Sequence, residues 1–130
     1  MSKRKVKRAG PKRRARSGKR RARRLGARSA VKLPKGAVTL VVLLRAREGQ
    51  ELLLEAELRA LVGPTRKEEG CLTYDLHRSA EPPPAYLLHE VWASREAHTQ
   101  HTRTQHFLRW NARKDALLAS RDATFWSQIA

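Results

Sequence analysis

Apolar and polar residues change their spacing several times along the chain, and each change marks an element. "AVTLVVLLRAR" (Ala37–Arg47) is β-branched and apolar with no polar alternation, the pattern of a strand buried on both faces. "EGQ" turns the chain into "ELLLEAELRALV", where Leu54, Leu58, Leu61 and Val62 repeat at i, i+4, i+7 and i+8, the inner stripe of a helix. Pro64 is placed to kink this helix and Gly70 to end it. "CLTYDLHRS" (Cys71–Ser79) alternates, with Leu72, Tyr74 and Leu76 on one side and Thr73, Asp75 and His77 on the other. After the stiff "AEPPPA" comes a strand over Tyr86–Ser94, with Tyr86, Leu88, Glu90 and Trp92 on one face. Ser94 reads as a helix N-cap and Thr104 as a second cap where the helical pattern breaks. Helical spacing then runs to about Ala119, and "DATFWSQIA" reads as the last strand.

The order β-α-β-β-α-β predicts a ferredoxin-like α+β fold, an antiparallel sheet with both helices on one face. The other face needs a cover, because the first strand is apolar on both sides. A second copy of the same sheet supplies one, which predicts a two-fold homodimer.

Charge changes the picture at one end only. Residues 1–36 hold 17 of the 29 Lys and Arg and none of the 12 Asp and Glu, so the formal +17 belongs to this tail. Ala37–Ala130, read as the folded domain, is charge-balanced. The pentad KRRAR occurs at Lys12–Arg16 and Lys19–Arg23, and such like-charge density predicts disorder. The tail suits nucleic acid or an anionic surface; it also reads as an over-extended reading frame. A lone cysteine, Cys71, excludes an intrachain disulfide framework, and no apolar run is long enough to span a membrane. Both features fit a cytoplasmic protein.

The candidate chemistry lies in "LLHEVWASREAHTQHTRTQHF" (Leu87–Phe107), which contains four of the five histidines. On a helical wheel His101 falls at the edge of the apolar arc of Thr104, Phe107 and Leu108, while His98 and His106 project away. His89 lies on the strand face opposite Trp92. Zinc needs three or four converging ligands; no carboxylate or cysteine obviously joins His98 and His101, so no metal is expected. His101 is left as either a packed imidazole or a proton acceptor beside an aromatic. Glu90, a carboxylate in an apolar strand, must pair, protonate or face water. Two partners are open to it: His101, whose tautomer it would set, and Arg45.

"LRAREGQ", "VGPTRKEEGCLTYDL" and "EVWASREAHTQHTRTQHF" together resemble the antibiotic biosynthesis monooxygenase domain, especially its quinol monooxygenase branch. The resemblance covers Ala37 to about Leu118. It rests on Gly49, Pro64, Glu69-Gly70-Cys71 with Tyr74, Glu90-x-Trp92 and His101-x-x-Thr104-x-His106-Phe107. It implies a dimeric α+β barrel that oxygenates a quinol-like or polycyclic aromatic with O2, using no cofactor. Carried over, Trp92 and Tyr74 line the aromatic pocket and His101 assists deprotonation, with Glu90, His106, Phe107 and Arg45 as substrate contacts. Haem degradation is disfavoured, since that branch has an Asn on the first strand and "VTLVVLL" has none. The second reading is a non-catalytic dimeric binding module tethered to a polyanion by its tail.

Overall fold

The structure is a computed structural model that describes Gly10 and residues 32–130. Apart from Gly10 and residues 32–36, the basic tail and its expected disorder lie outside the described residues. Seven elements follow in order: β1 Val38–Ala46, α1 Glu51–Arg66, β2 Cys71–Arg78, β3 Ala85–Trp92, α2 Arg95–His101, α3 Gln105–Leu117 and β4 Leu118–Trp126. The strands form one antiparallel sheet in the order β2-β3-β1-β4. This is the ferredoxin-like α+β fold that the element order predicted. Among the described residues, no helix is long and apolar enough to cross a membrane.

The two faces of β1 differ more than its sequence suggests. Leu40, Val42 and Leu44 are buried under the helices, whereas Leu43 and Arg45 are exposed on the other side. Leu54, Leu58 and Leu61 of α1 meet the covered face in the main core, each burial contributing roughly 1.5–3 kcal/mol. The stripe continues at Thr65, and Val62, expected inside, sits at its rim. The helix runs through Pro64 and ends at Arg66, so the proline occupies only its last turn.

Three local expectations are corrected. Gly70 does not close α1, whose C-cap is Lys67. It opens β2 with φ +83°, and a Cβ there would meet the Ala97 Cβ at 2.7 Å. Glycine is required by that conformation and by the close approach to α2. A bulge between Cys71 and Thr73 puts Cys71, not Leu72, in register with Trp92 and leaves Leu72 exposed. The last strand begins at Leu118 rather than Asp122, because the ladder to β1 starts at Ala46↔Leu118 and recruits residues with helical spacing.

Candidate active site

The site is built on one lateral row of the sheet. Tyr74 pairs with Glu90, Glu90 with Leu40 and Leu40 with Phe125, all on the helix-covered face. Above this row the helical region breaks as the caps predicted. Ser94 Oγ accepts from Ala97 N at 3.0 Å, and Thr104 Oγ1 accepts from Phe107 N at 3.3 Å. Thr104 also donates to the His101 carbonyl at 2.8 Å, which fixes the end of α2 against the start of α3. His101 is thereby buried to 1% exposure among aromatics. Its ring centroid lies 4.7 Å from that of Trp92, 5.0 Å from Phe107 and 5.8 Å from Tyr74.

Glu68, in the turn between α1 and β2, holds this imidazole. Its Oε2 lies 2.6 Å from His101 Nδ1 and 2.8 Å from His106 Nε2. A carboxylate only accepts, so Nδ1 of His101 carries the proton and the neutral ring has its lone pair on Nε2. Burial lowers the pKa of His101, and the hydrogen bond and charge of Glu68 oppose the shift. The imidazole is therefore neutral near pH 7, with a basic Nε2 edge turned away from Glu68.

The His101 ring is one wall of a cavity of about 150 Å3 between the sheet and the helices. Tyr74, Glu90, His98, Phe107, Arg121 and Phe125 contribute walls over an apolar floor from β1. Burial pushes Glu90 up to about 8, against the pull of Arg121. At neutral pH it is a carboxylic acid that can donate. Tyr74 is held protonated by burial and by Glu90. The cavity thus brings together a neutral imidazole, a protonated carboxyl and aromatic walls, with the Arg95 guanidinium 3.6 Å over Phe125 outside.

Residues 37–113 match the model of the antibiotic biosynthesis monooxygenase family. The chain belongs to that family. It is 35% identical over 81 residues to a Mycobacterium tuberculosis protein named "Putative monooxygenase Rv0793", spanning 62% of this chain and 79% of that one. The structure of Rv0793 aligns with TM-score 0.69 and 30% identity, covering 72% of this chain and 96% of the other. PA3566 from Pseudomonas aeruginosa aligns with TM-score 0.72 and 35% identity, covering 76% of this chain and all of that one.

In this family member the sequence-derived residues divide by position. His101, Tyr74, Glu90 and Phe107 come together around the cavity. Trp92 is fully buried beneath His101 and is not one of the cavity walls; its Nε1 has no hydrogen-bond partner among the described residues. His106 holds Glu68 from outside the cavity. Arg45 is on the opposite face of β1, exposed, and cannot reach Glu90 or a ligand there. His98, expected in water, is half-buried, with its ring 5.8 Å from Trp92 and 5.2 Å from Phe125.

Two residues were missed. Glu68 takes the partnership considered for Glu90, and no periodic signal marks a side chain in a turn. Arg121 was assigned to the residues before the last strand; the earlier start of β4 aligns it with Leu44 on the cavity face. A larger groove of about 640 Å3 lies between α1 and β2, and its guanidinium groups are all held in ion pairs. Arg59 and Arg78 pair with Glu55 at 3.1 and 2.9 Å, and Arg66 pairs with Asp75 at 2.9 Å. It offers no base for the chemistry.

Proposed function

We propose that this protein is a cofactor-independent monooxygenase acting on a quinol-like aromatic, with His101 as the base. The observation that carries the reading is the buried imidazole that is tied through Nδ1–H to Glu68 and is itself one wall of an aromatic cavity. A cavity of about 150 Å3 is the size that holds a single benzene ring. One-ring quinols therefore fit this site better than polycyclic ones.

His101 Nε2 takes the proton of a substrate hydroxyl. The resulting phenolate is electron-rich enough to reduce O2 directly, so the protein supplies orientation and a base. Reaction at a ring carbon gives a hydroperoxide. One oxygen then stays on the ring and the other leaves as water, converting quinol and O2 to hydroxyquinone and water. In this reading Glu90, protonated at neutral pH and part of the cavity lining, donates to the departing oxygen.

The test is oxygen consumption with a panel of one- and two-ring hydroquinones, using the full chain and a chain starting at Ala37. Turnover of one-ring quinols by both forms, undiminished by EDTA, is expected. Oxygen uptake no faster than the uncatalysed rate would leave the non-catalytic binding module. The tail should add little to folding, so deleting it is expected to shift stability by less than about 1 kcal/mol.

The open sheet face supports the homodimer. Leu43 and Trp126 are 49% and 58% exposed there, and large apolar side chains on one face of a small domain favour a self-complementary contact. Sedimentation at micromolar concentration should give a dimer. Leu43→Glu should shift it to monomer, and a native monomer would refute the assignment.

A further inference from the structure

Glu68, His101 and His106 also converge as ligands. One donor atom from each lies within 4.8 Å of the others. Glu68 lines an outer groove, separate from the cavity, where Glu69 and Glu96 outnumber the one cation, Arg103. Two imidazoles and a carboxylate beside an acidic, solvent-connected groove make a donor set for a borderline divalent cation such as zinc, with a fourth position left for water.

We propose that this triad is a divalent-cation site, and that an ion bound there switches His101 from proton acceptor to proton donor. Ligation requires bonds of about 2.0–2.2 Å, which in tetrahedral geometry spaces donor atoms about 3.3 Å apart. The present spacings from Glu68 Oε2 are 2.6 and 2.8 Å. The Glu68 carboxylate must retreat by roughly half an ångström, and the two imidazole nitrogens, within 4.8 Å of each other, must close toward the same spacing; Glu68 sits on a turn rather than within a helix or strand.

The consequence follows from the tautomer. Without the ion, Nδ1 of His101 carries the proton and Nε2 is free to accept one. An ion takes the Nδ1 lone pair, so the ring proton must reside on Nε2. The proton moves from one nitrogen to the other through exchange with solvent, with no change in ring charge. His106 makes the reverse change, from Nε2–H to Nδ1–H. A substrate hydroxyl then meets a donor instead of a base. The binding half stands on geometry alone; the switch half rests on the oxygenase reading.

Calorimetric titration of the full chain with ZnCl2, after chelator treatment, should show one ion per chain with micromolar affinity. Co2+ in its place should give the visible absorption bands of a low-coordinate site. His106→Ala and Glu68→Gln should each weaken binding at least about tenfold, while His77→Ala, an exposed histidine elsewhere, should leave it unchanged. No ion bound at 100 μM (about a hundred times the expected dissociation constant), or equal affinity in His106→Ala, would overturn the site. In steady-state assays zinc should lower kcat more than KM, and excess EDTA should restore it. Binding without loss of turnover would overturn the switch. Absence of turnover in ion-free protein would defeat the oxygenase reading, and the switch with it, whatever calorimetry shows.

Discussion

Replacing His101 by alanine is expected to lower quinol turnover by about a hundredfold or more, the scale for losing a positioned general base. This corresponds to roughly 2.7 kcal/mol of barrier. The loss should fall on kcat rather than KM, because the cavity walls that hold the ring, Tyr74 and Phe107, remain. His101 is also a packing residue at 1% exposure, so the variant's fold must be checked by near-UV circular dichroism. His101→Gln keeps most of the volume and should show the same kinetic loss. Glu68→Gln separates positioning from chemistry. It leaves the imidazole in place but replaces an acceptor-only carboxylate by an amide that can present either an acceptor or a donor to Nδ1. The tautomer is then no longer fixed, and a smaller loss, about tenfold, is expected. If Glu68→Gln and both His101 variants retained full turnover, the imidazole would be core packing and nothing more.

Away from the bulge in β2 and the early start of β4, the grouping of strand residues by face was legible, because period-two alternation persists wherever the ladder is regular. Alternation grouped Tyr74 with Leu76 and Glu90 with Trp92, and the sheet register puts Tyr74 and Glu90 side by side on the covered face. The two helix caps were equally legible. Ser94 and Thr104 each satisfy a backbone N–H that a helix start leaves free. The sequence leaves His101, at the edge of the apolar arc, open between a pocket residue and an ordinary imidazole, and the fold buries it.

What escaped the sequence reading depends on contacts between segments far apart in the chain. Glu68 meets His101 across 33 residues, and its turn between α1 and β2 has no period that would aim a side chain. His98 was misplaced because a single helical wheel was carried through α2 and α3. The chain breaks at Thr102–Thr104, so the two helices have separate axes, and His98 turns toward Phe125 of a strand the wheel does not contain. Arg121 and Leu72 show the cost of register. A strand start four residues earlier, and one bulge, move a charge onto the cavity face and a leucine out of the core.

Glu90 gives the second large expected effect, and it is one of stability. Its side chain is buried among apolar neighbours at 3% exposure, and burial raises its pKa from 4.5 to about 8. The folded protein therefore binds a proton at Glu90 that the unfolded chain releases at about pH 4.5. Between those two values the native state holds more protons than the unfolded one, so this group's contribution to stability falls as pH rises. Below about pH 4.5 both states are protonated and the group is neutral in effect; above about pH 8 the full cost of a buried charge is present. Glu90→Gln keeps the shape and cannot ionise. Relative to the parent it should gain stability as the pH is raised from 5.5 to 8.5, by roughly 3 kcal/mol. Urea unfolding of both proteins at matched chain concentration measures this difference, and titrations common to both cancel. Parallel stability curves across that window would mean that Glu90 ionises freely, with the Arg121 charge offsetting its burial. The acid that the proposed oxygenation draws on at neutral pH would then be absent.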